Sequence, residues 1–196
     1  MTTDSHEARK AAVYEAALQL IAAGVSPAAM KIQQLADAAG IGKGTVYEYF
    51  SSKDEILKGL AVYCFARENE RIHTLCADCA TLADFEEKAT AYLQDIAASR
   101  MASYKMIAQT LGAPNTCGGM PACGVELIGI LRELILRLQA AGEIDPAVSP
   151  EYCGTVIFSA VVGGLVGLCC GAEYDPAGTL PQNIKKMLHR ALQVQQ

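Results

Sequence analysis

The spacing of apolar residues along this chain is that of α-helices. Near the N-terminus they recur every three or four residues, the repeat that lines one face of a helix: Val13, Ala16, Ala17, Leu20 and Ile21. The sequence has no sustained alternation of β-branched and polar residues, and it contains no Asn-Gly or Asp-Gly hairpin turn. The pattern therefore predicts an all-α protein.

Glycine, proline and capping residues divide the chain into about nine predicted helices. The first runs from about Ser5 to Ala23 and ends at Gly24. A short second helix, KIQQLADAAG, is followed after two residues by a third, KGTVYEYF. Ser52 and Glu55 predict a capping box that opens a long fourth helix, to about Cys79.

The rest of the chain predicts five more helices. ADFEEKATAYLQDIAASRM and SYKMIAQTLG form two of them, and GAPNTCGGMPACG predicts a loop. The last three are VELIGILRELILRLQAAG, an uncharged helix over 152–172 and an amphipathic helix over 180–194.

Two interpretations of the uncharged helix are compared: a membrane span and a packing helix. It is about long enough to span a bilayer, but it is not strongly hydrophobic and lacks flanking Lys, Arg or Trp anchors. Small residues recur every four positions, which allows close approach of a second helix: Ser159, Gly163, Gly167 and Gly171. We expect a packing helix and no membrane association.

The second and third helices, packed on the first, have the arrangement of a helix-turn-helix, whose second helix enters the major groove of DNA. Val46 and Phe50 of the third helix face inward, with Leu35, Ala36 and Ile41. The groove-facing side is left to Lys43, Gly44, Thr45, Tyr47, Glu48 and Tyr49.

These outward residue types suit DNA. Gly44 allows close backbone approach, and the Thr45 and Tyr47 hydroxyls can bind phosphate. Lys43 can bind phosphate or guanine, and Glu48 can accept a hydrogen bond from cytosine. Lys53 adds a cation beside the free amides that start the fourth helix.

The run from Arg9 to Leu57, above all LADAAGIGKGTVYEYFSSKDEIL, resembles the DNA-binding domain of the TetR (tetracycline-repressor-like) family of bacterial transcriptional regulators. The matching positions are Ala36, Gly40, Gly44, Thr45, Tyr47, Phe50, Ser52, Lys53 and Leu57. The resemblance implies that Lys31 and Gln33 touch phosphate or base and that Tyr49 and Lys53 grip the DNA backbone. Gly42 departs from the usual capping Ser, and Lys31 from a common Thr.

The resemblance also implies a helix-turn-helix domain over 1–51 and an effector-binding and dimerisation domain over 52–196. Candidate effector contacts, of types that are more often ordinary core, are Tyr92, Met101, Tyr104, Met106, Ile107 and Phe158. The last two helices predict a self-complementary homodimer seam: Ser159, Gly163, Gly164, Gly167, Ile184, Met187 and Leu188. We expect a repressor that an unidentified small-molecule effector releases from a palindromic DNA operator.

Charge adds little to this interpretation. The net charge is −5, and residues 1–58 are nearly balanced, so DNA binding must come from a local surface. The N-terminus shows no secretory signal, which predicts a cytoplasmic protein with reduced thiols.

Cysteine and histidine leave an alternative open. Cys76 and Cys79, or Cys117 and Cys123, could make a thiol-redox or metal-sensing regulator, although cysteine is commonly a small buried hydrophobe. We expect no metal and no cofactor. Enzyme motifs are absent from the sequence, which predicts a protein that is not an enzyme. A helical interaction module without DNA binding is the more distant alternative.

Overall fold

The computed structural model describes residues 3–101, 104, 120–170, 175 and 177–193. Within these residues it contains eight α-helices and no strand, which confirms the all-α prediction. A π-helical turn, Ile96–Arg100, follows the fifth helix. The helices are α1 (Thr3–Ala22), α2 (Ile32–Ala39), α3 (Lys43–Tyr49), α4 (Lys53–Ala77), α5 (Leu82–Asp95), α6 (Met120–Ala140), α7 (Pro150–Cys170) and α8 (Leu180–Leu192).

One predicted stretch is not described by the structure, and another differs from the prediction. The predicted helix SYKMIAQTLG lies outside the described residues except for Tyr104. The predicted loop over 112–124 is wrong at its end, because α6 already begins at Met120. Pro121 fits there, since the first turn of a helix does not need its missing amide hydrogen.

The turn between α2 and α3 depends on Gly40. Its φ of +67° lies in the left-handed region, and its amide donates back to the end of α2. The Ile41 amide then donates to the Ala36 carbonyl at 3.0 Å. This closes α2 within one residue, so that α3 starts at Lys43.

The start of α4 is capped by hydrogen bonds near those predicted. The Ser52 hydroxyl accepts from the Glu55 amide at 3.1 Å. The Glu55 carboxylate reaches back one residue further than expected, to the amide and hydroxyl of Ser51. These bonds from Ser51 lower the pKa of Glu55.

The chain divides into two compact units, one built on Met1–Arg67 and the other on Glu68–Met101 and Pro121–Gln196. The sequence places the domain boundary at 51/52, ahead of α4, whereas this division falls inside α4. The reason is that Ile56, Leu60 and Cys64 of α4 are buried with α1, α2 and α3 in the core of the first unit.

The second unit has its own core, in which α5 packs against both α7 and α8. Gly164 of α7 lies against Leu93 of α5 and Ile184 of α8, where a side chain would collide. By length and composition alone, α7 could cross a membrane. One of its faces nevertheless lies in this core, through Cys153, Ile157 and Ala160.

Candidate nucleic-acid interface

The helix α3 has one buried side and one open side. Val46 and Phe50 are 0% and 3% exposed and join the core of the first unit. On the other side Lys43, Gly44 and Glu48 are exposed, and Tyr47 is 52% exposed although it is a large aromatic residue. Packing therefore fixes which face of α3 is presented outward, and that face carries the polar groups that the sequence assigned to DNA.

The glycines of this region differ in what surrounds them. A Cβ built on Gly44 meets no atom within 4 Å, so internal packing does not require a glycine there. A Cβ built on Gly42 meets only the Thr45 hydroxyl, at 3.8 Å. The fold would thus accommodate the serine that is usual at position 42, and it leaves the surface over Gly44 open.

The residues assigned to DNA at the start of α2 are exposed, and each makes a hydrogen bond to a neighbour on that helix. The Lys31 amide donates to the Gln34 side chain at 2.9 Å, and the Lys31 side chain is exposed. The Gln33 side chain donates to Asp37 at 2.7 Å. Gln33 keeps its carbonyl oxygen as an acceptor in this arrangement.

Lys53 has an internal role that the sequence did not indicate. Its ammonium donates to the Ala28 carbonyl at 2.7 Å, which ties the start of α4 to the segment before α2. An ammonium has three hydrogens, so this bond leaves donors for a phosphate. Residues 25 positions apart make this contact, so no local pattern could reveal it.

Two residues of α1 lie beside the end of α3, and the sequence analysis missed both. The His6 ring contacts the Tyr49 ring edge to face, with centroids 4.7 Å apart. The Lys10 ammonium lies 6.0 Å from the centre of the Phe50 ring. The sequence does hint at both residues, because His6, Lys10 and Tyr14 recur every four residues and could have been predicted to share one face of α1.

The candidate effector contacts do not come together in one described cavity. Tyr92 donates its hydroxyl to the buried Glu68 at 2.8 Å, and Arg100 lies over its ring at 4.8 Å. Phe158 is 51% exposed on α7. Tyr104 is buried and Met101 half-buried, while Met106 and Ile107 lie outside the described residues.

The described part of the second unit contains an open groove and a small pocket. An open groove of about 400 Å³ between α4 and α5 includes Arg71, Lys88 and Tyr92 in its lining. A pocket of about 30 Å³ between α4 and α6 includes His73 and Arg137. The smaller one holds no more than about one water molecule.

Cys76 of α4, Cys79 just after that helix and Cys123 of α6 are buried. Burial raises the pKa of the Cys76 thiol to about 12, and it also raises the pKa of Cys79 and Cys123. Because the thiolate is the reactive and metal-binding form, these positions are unfavourable for redox or metal sensing. Among the described residues no group of three or more His, Cys, Asp or Glu side chains could hold a metal. Cys117 lies outside them.

The predicted dimer residues separate into two sets. Gly164, Gly167, Ile184 and Leu188 are buried inside their own chain. Ser159, Gly163 and Met187 are exposed. Beside them lie large apolar side chains that the sequence analysis did not assign to the seam: Tyr152, Phe158, Val162 and Val166, which are 39% to 59% exposed.

Comparison with known proteins agrees with this geometry. Residues 13–60 match the profile of the family described as "Bacterial regulatory proteins, tetR family", which confirms the resemblance seen in the sequence. A search of curated proteins gave no match.

Solved structures share the fold over nearly the whole chain. The transcriptional regulator FadR from Bacillus subtilis, in complex with stearoyl-CoA, is 18% identical with a TM-score of 0.65, over 92% of this chain and 96% of that one. The reduced form of Escherichia coli NemR is 15% identical with a TM-score of 0.70, over 94% and 97%. Salmonella enterica GusR is 19% identical with a TM-score of 0.71, over 94% and 95%.

Proposed function

We propose a function from one premise: residues 13–60 of this chain belong to the tetR family of bacterial regulatory proteins. The chain is a ligand-responsive transcriptional regulator that binds DNA through α3 and acts as a cytoplasmic repressor. The observation that carries this proposal is the open face of α3, where Lys43, Tyr47 and Glu48 are exposed opposite the buried Val46 and Phe50.

The roles at the DNA follow from the chemistry of each side chain. Lys43, Gly44, Thr45, Tyr47 and Glu48 form the reading surface in the major groove. Tyr49 and Lys53 hold the phosphate backbone, and Lys31 and Gln33 touch phosphate or base. Lys53 keeps its bond to Ala28 while it contacts phosphate, because one ammonium can donate to both.

A second copy of the chain covers the outer face of α7. Tyr152, Phe158, Val162 and Val166 expose apolar surface there, and Met187 does so on α8. An exposed apolar patch of this kind is typical of a protein interface. Gly163, which is exposed and has nothing within 4 Å of a built Cβ, allows close approach of the partner. A homodimer would present two copies of α3 to a near-palindromic operator.

A small molecule then regulates DNA binding from the second unit. The FadR of Bacillus subtilis, which shares this fold, was solved with stearoyl-CoA. We infer that the effector favours a dimer whose two α3 helices no longer match the operator spacing, which shifts the population away from DNA. Dose-dependent release of the operator by fractions of a cell extract is the measurement, and no release by any fraction would count against regulation.

DNA binding itself is tested with a duplex that the wild-type protein selects from a random-sequence pool. Lys43→Ala should weaken binding by roughly five- to a hundredfold, because one good base contact contributes about 1–3 kcal/mol. Lys58→Ala is the matched control: it removes the same charge from an exposed position on α4, where Lys58 pairs with Asp54. We expect the control to bind within about twofold of wild type, because Lys58 is assigned no contact with DNA and its exposed ion pair contributes little to stability.

Two results would overturn the proposal. One is a wild-type protein that enriches no duplex from the pool at modest salt. The other is an equal loss for Lys43→Ala and Lys58→Ala, which would mean that general charge and not the α3 surface attracts DNA.

A further inference from the structure

Three side chains of α1, two with rings and one with a positive charge, lie against the C-terminal end of α3. His6, Lys10 and Tyr14 lie on one face of α1, four residues apart. The His6 ring meets Tyr49 at 4.7 Å, the Lys10 ammonium lies 6.0 Å from Phe50, and the Tyr14 ring lies 5.5 Å from Phe50. Phe50 is buried, so its two contacts belong to the core. The contact of His6 with Tyr49 is the outermost of the three.

The position of the Tyr49 side chain depends on a contact from α1 more than the positions of its neighbours on α3 do. Its ring is half-buried at the edge of the core of the first unit, whereas Tyr47 is exposed and makes no ring contact in the described structure. An edge-to-face neighbour at this distance is a favourable geometry for two aromatic rings. It also restricts the rotation of the Tyr49 side chain, which lowers the entropy lost when the hydroxyl is held by a ligand.

The surroundings of His6 favour this indirect role over a direct charge contact. Its Nδ1 lies 3.7 Å from the Glu7 carboxylate. A carboxylate at that distance opposes the approach of a phosphate to the same nitrogen. Lys10, one turn further along α1, is directed over Phe50.

We propose that His6 is a positioning residue for DNA binding: its ring holds the Tyr49 side chain in the conformation in which the Tyr49 hydroxyl grips an operator phosphate. This inference rests on the proposed function, since it assigns a role at the same DNA surface. His6 touches Tyr49 and not the DNA.

The expected size follows from the strength of aromatic pairs, which corresponds to roughly two- to tenfold in an equilibrium constant. His6→Ala should weaken binding of the selected duplex by that factor. His6→Phe keeps a ring against Tyr49 and should bind within about twofold of wild type. The melting temperature should hardly change, because the His6 side chain is about half exposed.

The decisive experiment is a double-mutant cycle with two tyrosines. In a Tyr49→Phe background, His6→Ala should cost nothing further, because the hydroxyl that His6 positions is gone. In a Tyr47→Phe background, the matched control, His6→Ala should cost as much as it does in the wild type. The slope of log affinity against log salt should be the same with and without His6, because the Tyr49 hydroxyl is uncharged and releases no counterion, whereas losing a direct contact between a cationic side chain and a phosphate would reduce the slope by about 0.9.

Each other outcome overturns the proposal. Equal costs in both backgrounds, or no cost in the wild type, would show that His6 does not act through Tyr49. A reduced salt slope without rescue by His6→Phe would make His6 a direct phosphate contact. If the wild-type protein enriches no duplex, the proposed function fails first, and this role fails with it.

Discussion

Replacing Gly44 by alanine should raise the stability of the protein and weaken its binding to DNA. Gly44 is the second residue of α3, and a Cβ built there meets no atom within 4 Å. Because no contact is lost and alanine is the better helix former, the free energy of unfolding should rise by about 0.5–1 kcal/mol. For a chain of this length that corresponds to a rise in melting temperature of about 1–4 °C.

The effect on DNA should have the opposite sign, because the added methyl group projects from the face of α3 that we propose enters the groove. Overpacking a close interface by one such group costs about 1–3 kcal/mol, so affinity should fall roughly five- to a hundredfold. Thermal unfolding by circular dichroism measures the first effect. A fluorescence anisotropy titration with the selected duplex measures the second.

Gly129→Ala is the matched control for this experiment. Gly129 is an exposed glycine inside α6, and its built Cβ also meets nothing within 4 Å. The control should raise the melting temperature in the same way and leave DNA affinity unchanged. Unchanged DNA binding by Gly44→Ala would refute the assignment of this face of α3, and a lower melting temperature would refute the packing argument.

Three further predictions concern other parts of the chain. Gly59→Ala should lower the free energy of unfolding by about 1 kcal/mol, because the new Cβ would lie 2.9 Å from Cζ of Tyr14, which is packed between Phe50 and Tyr63. In thermal melts the melting temperature should fall for Gly59→Ala and rise for Gly44→Ala, and a stabilised Gly59→Ala would contradict this. Val166→Asp should convert the proposed dimer to folded monomers, as measured by sedimentation, whereas Val125→Asp, at a 70% exposed position on α6, should not. At pH 8 the Cys76 thiol should react with iodoacetamide roughly a thousandfold more slowly than an ordinary thiol, because burial raises its pKa to about 12 and the thiolate is the reactive form. Peptide mass spectrometry of the labelled native protein measures this rate, and fast labelling of Cys76 would contradict the prediction.

Helical periodicity was enough to predict most of α1 to α5 and the orientation of α3. The reason is that α3 has apolar residues on one side only, so Val46 and Phe50 could face just one way. The same reasoning was less informative for α7, whose residues are apolar on every side. There the sequence could not say that Gly164 faces Ile184 in the core while Phe158 faces outward. The pairing of exposed residues into a dimer seam stays a prediction.

The sequence by itself determined most of the described helices, the tight turn at Gly40 and the set of polar groups on the open face of α3. These are local properties, set by side chains within one or two turns of each other. Only the tertiary structure brought Lys53 to the Ala28 carbonyl, His6 to the Tyr49 ring and the first half of α4 into the core of the first unit. Each of those contacts joins residues far apart in the chain, and such contacts depend on how whole helices pack, which no local pattern of residues encodes.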